Sequence, residues 1–264
     1  MSPDPTVPHL RRKIRNLRLL LAGLLVVTLP SVGVIVYTIH GRGGLRYALL
    51  GLSAMANDNT EPRYREREGL FQLFTRIPQP DRPIVFLGDS LTERCEWQEL
   101  LGGAVRAVNR GIGADTTDGV EKRLQSVLDL HPRAVFLMIG ANDYYLRRTP
   151  GTVAQAIRGI AQRLAANGIT VYLQSTVPTW MPDYNNWAKQ VNERAAAICD
   201  GTQIVWVPLF DRFLQGGVLK REYSYDGIHL NAAGFLVWKE AISAFVARYG
   251  DGSPAHAAMS GSSR

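Results

Sequence analysis

The chain has 264 residues, of which 46% are hydrophobic and 20% charged, so it is too apolar for a disordered protein and too long for a disulfide-stapled miniprotein. Its two cysteines, Cys95 and Cys199, are too few for a disulfide framework or a cysteine-rich zinc site. Residues 1–58 hold seven basic and two acidic residues, so most of the net charge of +7 lies in this one segment. The positive net charge is therefore weak evidence for nucleic-acid binding.

The first predicted element is an uncharged run of 21 residues, 19–39. At about 1.5 Å per residue, a helix of this length covers the ~30 Å hydrocarbon core of a bilayer. Five cations precede the run and two follow it, so the positive-inside rule places the N-terminus in the cytoplasm and the rest of the chain outside. We therefore predict a single-pass anchor at 19–40, with the remaining domain in the periplasm if the source is bacterial.

Two other interpretations of this run are weaker. A cleaved signal peptide has a shorter apolar core, and the only attractive small-residue cleavage site, at 54–56, lies well downstream. A buried core helix is disfavoured because the run is far longer than such helices need and lacks a polar face.

Around the anchor, the chain is predicted to form four further parts. Residues 1–18 are a basic cytoplasmic segment, and 41–82 are a connector with a helix that packs on the domain through Leu70, Phe71 and Phe74. Residues 83–250 form the main domain, and 251–264 form a disordered tail.

Within 83–250, short apolar runs alternate with amphipathic stretches. The runs predict strands at 84–87, 105–108, 134–139, 169–174 and 204–207. Apolar residues at helical spacing indicate the helices, in the sets Val120, Leu124, Val127, Leu128, then Val153, Ile157, Ile160, Leu164, then Phe235, Trp238, Ile242, Phe245 after the N-cap Asn231. This alternation predicts an α/β fold of three layers around a five-stranded parallel sheet.

Polar motifs follow the predicted strands where ligands of parallel sheets bind. They are GDSLT at 88–92, NRGIG at 109–113, GAND at 140–143 and, before the last helix, YDGIH at 225–229. In this order they resemble the SGNH hydrolase superfamily, also called the GDSL esterases and lipases. NRGIGADTT at 109–117 and GAND are similar to the platelet-activating-factor acetylhydrolase-like branch. The resemblance covers about 83–250 and implies a flavodoxin-like fold with a hydrolytic serine.

The chemistry also follows from the residue types. Ser90 is a poor nucleophile until a base removes its proton, and His229 is the best-placed of the five histidines. Asp226, three residues earlier, is positioned to accept the imidazole N–H and to stabilise the imidazolium. We therefore predict a catalytic triad of Ser90, His229 and Asp226.

Three donors are predicted to form an oxyanion hole, namely the backbone N–H groups of Ser90 and Gly111 and the side-chain amide of Asn142. Each such donor contributes ~3 kcal/mol in the transition state. Gly111 suits this role because a side chain would block the approach of substrate to the backbone.

Other polar residues in these motifs are given structural roles. Asp89 is predicted to be a hydrogen-bonding residue, Asp115 and Asp143 to be helix caps, and Asn109 and Gly113 to shape the turn that presents Gly111.

The size of the pocket depends on segments that the sequence presents as loops, 91–104, 144–151 and 177–190. The last contains Trp180, Tyr184 and Trp187, which either line an acyl or sugar pocket or pack over the rim of the crevice.

We predict a serine esterase that needs no metal and no organic cofactor, since P-loop, HExxH and complete dinucleotide-binding motifs are absent from the sequence. The expected substrate is a small, short-acyl ester. The alternatives are an O-acyltransferase or deacetylase acting on cell-envelope glycan, a lysophospholipase, a non-catalytic binding module and a flavin carrier. The sequence does not indicate an oligomeric state.

Overall fold

The computed structural model describes residues 62–250, except 79, 80 and 104, together with the single positions 28 and 32. The predicted anchor at 19–40 therefore lies outside the described residues apart from Thr28 and Val32, which are helical and exposed. The segment 251–264 also lies outside. In the described part of the chain, no helix is long and apolar enough to cross a bilayer. The chain divides into two units, Met1–Leu49 and Leu50–Arg264, and the second contains the architecture below.

A five-stranded parallel sheet forms the centre of the domain, which confirms that part of the predicted fold. Its strands are β1 (Ile84–Gly88), β2 (Ala107–Gly111), β3 (Ala134–Met138), β4 (Thr170–Gln174) and β5 (Ile204–Val207). Their order in the sheet is β2-β1-β3-β4-β5. The predicted β2, 105–108, was placed too early. Its polar residues Asn109 and Arg110 belong to the strand, where Asn109 bonds to the backbone near the end of α2 and Arg110 packs on the ring of Phe71.

Helices connect and cover the strands. They are α1 (Pro62–Thr75), α2 (Ser90–Glu93), α3 (Trp97–Leu100), α4 (Thr117–Arg123), α5 (Gln125–Leu128), α6 (Pro150–Ala166), α7 (Pro182–Ala196), α8 (Phe210–Phe213) and α9 (Ala232–Val246). Short 3₁₀ turns occur at Ala141–Tyr144, Arg221–Tyr223 and Ala247–Tyr249, and β6 (Leu214–Gln215) pairs with β7 (Val218–Leu219) in a small hairpin.

Most of the predicted 177–190 loop is helical, which corrects the sequence interpretation. Pro182 occupies the first turn of α7, where its fixed φ and missing N–H are tolerated. Tyr184, Ala188, Val191 and Ala195 then repeat at helical spacing and are buried.

The layers arise because successive strand residues point to opposite faces of the sheet. On one face, the Phe86 ring stacks on Trp97 and Phe136 with centroids 3.8 and 4.9 Å apart, and Phe136 stacks on Tyr172 at 4.6 Å. Trp238 of α9 packs into this cluster. On the other face, the apolar sides of α4, α6 and α7 cover residues such as Val85, Leu137 and Val171.

Helix α1 packs on the domain through Phe71, as predicted, but not through the other two predicted residues. Phe71 and Tyr64 are buried with Ile112, whereas Leu70 and Phe74 are 42% and 39% exposed. The buried positions lie seven residues apart, on one side of the helix, and Leu70 and Phe74 lie on another.

Candidate active site

The three motif loops all follow the carboxyl ends of neighbouring strands. Gly88 is aligned with Gly111 in β2 and with Met138 in β3, so the segments containing Ser90, Gly111 and Asn142 start side by side. The last of these, Asn142, lies in the 3₁₀ turn that follows β3.

Two glycines at these strand ends allow close packing of backbone. A Cβ on Gly111 would lie 2.2 Å from the backbone nitrogen of Glu93, and one on Gly88 would lie 2.2 Å from the carbonyl oxygen of Met138. The glycine at 111 is therefore required by contact with α2, which corrects the expectation that substrate approach accounts for it.

Ser90 is the first residue of α2, so its amide N–H has no acceptor within the helix. Asp89 is the N-cap, and its side chain accepts a 3.0 Å hydrogen bond from the amide of Leu91. This confirms the structural role predicted for Asp89. Burial raises the pKa of Asp89 to about 7, with a smaller contribution from the carboxylates of Asp115 and Asp143.

The hydroxyl of Ser90 reaches the imidazole of His229, although 139 residues separate them in sequence. Oγ of Ser90 lies 3.0 Å from Nε2 of His229, and Nδ1 of His229 lies 2.8 Å from Oδ2 of Asp226. The side chains of His229 and Asp226 are only 16% and 20% exposed. The structure thus brings together all three residues predicted as a triad.

Asp226 is held by its own loop. Its Oδ1 accepts hydrogen bonds from the amides of Ile228 and His229 at 2.9 and 2.8 Å. Burial acts to raise the pKa of Asp226, but the hydrogen bonds from His229 and Ile228 outweigh it and hold that pKa well below the usual range. The carboxylate is therefore ionised at neutral pH and faces the imidazole.

Ser224 organises this loop and was missed by the sequence interpretation. Its hydroxyl donates to the carbonyl oxygen of His229 at 2.7 Å and accepts from the amide of Gly227 at 2.8 Å. Its side chain is buried. A serine shortly before Asp-Gly is a turn signal, because short hydroxyl side chains bond to nearby backbone.

The side chain of Asn142 is held by a neighbouring loop. Its Nδ2 donates to the carbonyl oxygen of Asp115 at 2.8 Å, which fixes the amide plane. The group carries two hydrogens, so the second is left for another acceptor.

The third predicted donor differs from the expectation. The amide of Gly111 donates to Oδ1 of Asn109 at 2.8 Å. Asn109 is held in this orientation because its Nδ2 donates to the carbonyl oxygens of Thr92, Glu93 and Cys95. In this structure the Gly111 amide is thus paired, and Asn109 shapes the turn as predicted.

The remaining carboxylates near the site are structural. Asp143 accepts hydrogen bonds from the amide and hydroxyl of Thr117 at 3.0 and 2.7 Å, so it supports the first turn of α4 from another loop; the role is structural, but it is not the predicted N-cap. Asp115 was predicted to be a cap, but the N-cap of α4 is Thr116. Asp115 instead forms a fully buried ion pair with Arg123 at 2.8 Å.

The aromatic residues after β4 pack rather than line open space. Tyr184 is fully buried, and the indole N–H of Trp187 donates to the carbonyl oxygen of Arg148 at 2.9 Å. Trp180 donates from its backbone to the carbonyl oxygen of Gly227 at 2.9 Å and from its indole to Leu219 at 3.0 Å. Trp180 therefore supports the loop that contains His229.

No group of three or more His, Cys, Asp or Glu side chains within the described residues is arranged to hold a metal ion.

Comparison with known proteins gives a consistent family. A model of the GDSL-like Lipase/Acylhydrolase family matches residues 86–236, more than half of the chain. Platelet-activating factor acetylhydrolase IB subunit alpha1 of Rattus norvegicus is 28% identical over 180 residues, which cover 62% of this chain and 75% of the relative. The Homo sapiens protein of the same name is 28% identical over 193 residues, which cover 65% and 80%.

Solved structures share the fold. A GDSL-like lipase from Bacteroides thetaiotaomicron superposes with a TM-score of 0.58 and 21% identity, over 68% of this chain and 96% of that one. A mutant of Axe2, an acetyl-xylooligosaccharide esterase from Geobacillus Stearmophilus, gives a TM-score of 0.53 and 18% identity, over 60% and 91%. The family match favours an acyl hydrolase over a flavin carrier or a binding module. The chain belongs to the GDSL-like lipase/acylhydrolase family of the SGNH hydrolase superfamily, and it is a carboxylic ester hydrolase.

Proposed function

We propose that Ser90, His229 and Asp226 are the catalytic triad of a membrane-anchored serine esterase for short-acyl esters. The observation that carries the triad is the continuous chain of contacts at 3.0 and 2.8 Å between Ser90 Oγ, the two nitrogens of His229 and Asp226 Oδ2. This geometry lets a single imidazole take the serine proton at one nitrogen while a carboxylate holds the other.

The reaction proceeds in two halves. With Nδ1–H directed at Asp226, Nε2 of His229 accepts the hydroxyl proton as Ser90 Oγ bonds to the ester carbonyl carbon. Collapse of the tetrahedral intermediate breaks the bond to the alcohol, which leaves with the proton from His229. A water molecule then gives a proton to His229 as its oxygen bonds to the acyl carbon. His229 returns that proton to Ser90 Oγ as the bond from Oγ to the acyl carbon breaks, which releases the carboxylic acid.

The negative charge that develops on the carbonyl oxygen needs donors. We assign this role to the amide of Ser90 and Nδ2 of Asn142, because the former begins a helix and the latter has a second hydrogen to donate. The amide of Gly111 remains the third predicted donor. Its hydrogen would be shared between Oδ1 of Asn109 and the carbonyl oxygen of the substrate.

Two named relatives support a short acyl group. One is a platelet-activating factor acetylhydrolase, and one is an acetyl-xylooligosaccharide esterase. We propose that this chain likewise prefers acetyl or butyryl esters, with hydrolysis as the reaction. Turnover of p-nitrophenyl esters from acetate to palmitate checks this preference. Fastest turnover of the long-chain esters would favour a lipase, and acylated sugar formed in the presence of a sugar alcohol would favour an O-acyltransferase.

The membrane anchor is the second part of the proposal. It is supported by the uncharged run at 19–39 and by exposed apolar residues on α1 and just after it, where Leu70, Leu73, Phe74 and Ile77 are each 39–50% exposed. Washing membranes from expressing cells with alkaline carbonate checks it. We expect the full-length chain to stay in the pellet, with the esterase domain digested by protease added on the outer side. Release of the chain by carbonate would contradict the anchor.

Substitution of the triad tests the catalytic assignment. We expect Ser90→Ala and His229→Ala each to reduce kcat for p-nitrophenyl acetate by more than ~10³-fold, because the residues act as one unit. His131→Asn is a matched control, since His131 is exposed and its φ of +46° suits asparagine. Unchanged turnover by Ser90→Ala would remove Ser90 as the nucleophile.

A further inference from the structure

We infer that α1 positions the oxyanion-stabilising groups of the site, through Arg67 and Tyr64. This inference rests on the proposed function, because it assigns α1 a role in the same site. Helix α1, Pro62–Thr75, precedes the residues matched by the family model, 86–236. It lies outside the part of the chain that carries the family motifs.

Arg67 joins the two segments that present Ser90 and Gly111. Its Nε donates to the carbonyl oxygen of Gly111 at 3.0 Å and lies 3.3 Å from Oε1 of Glu93. Glu93 is the last residue of α2, the short helix that begins with Ser90. One guanidinium thus fixes the peptide next to one proposed donor and the helix that holds the nucleophile.

Tyr64 reaches Asn142, another proposed donor, through Asp115. Its hydroxyl donates to Oδ1 of Asp115 at 3.4 Å, and the backbone carbonyl of Asp115 accepts from Nδ2 of Asn142 at 2.8 Å. Burial raises the pKa of Tyr64, so the phenol keeps the proton that this hydrogen bond requires. Asp115 is also fixed by Arg123, so Tyr64 acts on a carboxylate that is already restrained.

Phe71 holds α1 in this place. Its ring lies 4.6, 5.2 and 5.8 Å from the guanidinium carbons of Arg110, Arg67 and Arg123. Nε of Arg110 and Nη1 of Arg123 are buried without a hydrogen-bond partner in the described residues. The aromatic face is the compensating contact for these cations, so separation of α1 from the domain would be costly.

A positioning role predicts a specific kinetic pattern. Arg67 and Tyr64 contact residues that hold the donors, not the substrate, so their loss should affect the transition state more than substrate binding. We expect kcat to fall while KM stays within about twofold. A rise in KM with kcat unchanged would instead report the loss of a contact that binds substrate and transition state equally.

The test uses the full-length chain in detergent, with active sites counted by sulfonyl fluoride titration. We expect Arg67→Gln to lower kcat for p-nitrophenyl acetate by about 10-fold and Tyr64→Phe to lower it by about 3-fold. Both factors are smaller than the ~10²–10³-fold loss of kcat on removal of a donor, because the donors are displaced and not removed. Arg67→Lys should recover most of the activity because it retains a cationic donor. Arg65→Gln removes the same charge from an exposed position of α1 and should keep kcat unchanged.

A double-mutant cycle separates positioning from a general effect on folding. If Tyr64 acts through Asn142, Tyr64→Phe should cost less in the Asn142→Ala background than in the unsubstituted chain. Equal factors in both backgrounds would overturn the inference. So would a loss of titratable sites with kcat per site unchanged, or the same kcat for Arg67→Gln and Arg65→Gln. Activity that survives Ser90→Ala is a different result, because it contradicts the proposed function itself.

Discussion

The hydroxyl of Ser224 donates to the carbonyl oxygen of His229 at 2.7 Å, so a buried serine holds the backbone of the residue whose imidazole contacts Ser90. The hydroxyl oxygen of Ser224 also accepts a hydrogen bond from the amide of Gly227 and thereby closes the turn that places Asp226 beside His229. The orientation of the imidazole is therefore set from two sides, by Asp226 on the ring and by Ser224 on the main chain.

Ser224→Ala should weaken both activity and stability. The substitution removes two hydrogen bonds from a buried loop, those of the Ser224 hydroxyl with the carbonyl of His229 and with the amide of Gly227, which costs about 1–3 kcal/mol of unfolding free energy. We expect kcat to fall by ~10-fold or more as the imidazole becomes misaligned. Urea unfolding and steady-state kinetics check this. Ser243→Ala is the matched control, since its hydroxyl also donates to a carbonyl, that of Glu240, but on the surface. Equal effects of the two substitutions would contradict the account.

Asp226→Asn should abolish most of the activity and alter the acid limb of the stability curve. The asparagine cannot hold the imidazole in the required tautomer, so kcat should fall by ~10⁴-fold.

In the folded chain the pKa of Asp226 is depressed below that of an unfolded aspartate, about 3.9. Its stabilising contribution is therefore present above the unfolded pKa and is lost as the pH falls through the folded pKa. Unfolding measured from pH 6 downward should lose stability less steeply in Asp226→Asn, and identical curves would contradict this.

Asp89 should have the opposite pH dependence. Its folded pKa is raised to about 7 by burial, so between the unfolded pKa and pH 7 the folded chain binds more protons than the unfolded one. Stability should fall as the pH rises across that window and level off above it. Asp89→Asn keeps an N-cap and removes the buried charge, so it should be more stable than the unsubstituted chain above pH 7, by about 1–3 kcal/mol. Lower stability of Asp89→Asn at pH 8 would contradict the assignment.

Gly111→Ala and Gly113→Ala should differ sharply. The added Cβ at 111 would lie 2.2 Å from the nitrogen of Glu93 and 2.6 Å from its Cα, both rigid backbone atoms. At 113 it would meet only the end of the Glu93 side chain, at 3.0 Å. We expect Gly111→Ala to lose about 3 kcal/mol or more of stability, with most of the activity, and Gly113→Ala to lose less than about 1 kcal/mol. Thermal unfolding checks both, and equal midpoints would contradict the packing argument.

The sheet was predictable because its central strands are buried on both faces and read as apolar runs. The β2 strand was misplaced because Asn109 and Arg110 look like loop residues, while in the fold Asn109 bonds to the end of α2 and Arg110 lies against Phe71. Both contacts come from elements distant in sequence. The α7 helix was missed because Pro182 and two asparagines resemble a loop, although proline is favourable in a first turn.

The site was likewise predicted in part from the sequence. Ser90, Asp226 and His229 were identified from motif order and from the chemistry of their side chains, and the fold brings them into contact. The pairing of the Gly111 amide with Asn109 was not predictable, because it depends on the carbonyl groups at the end of α2. The contacts of Arg67 were likewise hidden, since nothing in the sequence of α1 indicates which loop it meets.

The most direct test of the central claim is to locate the reactive serine by covalent labelling. A phosphonofluoridate added to the full-length chain should modify one residue, and peptide mapping by mass spectrometry should place the adduct on Ser90. Substrate present in excess should slow the labelling, and His229→Ala should largely prevent it. An adduct on any other serine, or labelling of Ser90 at the same rate in His229→Ala, would contradict the proposed triad.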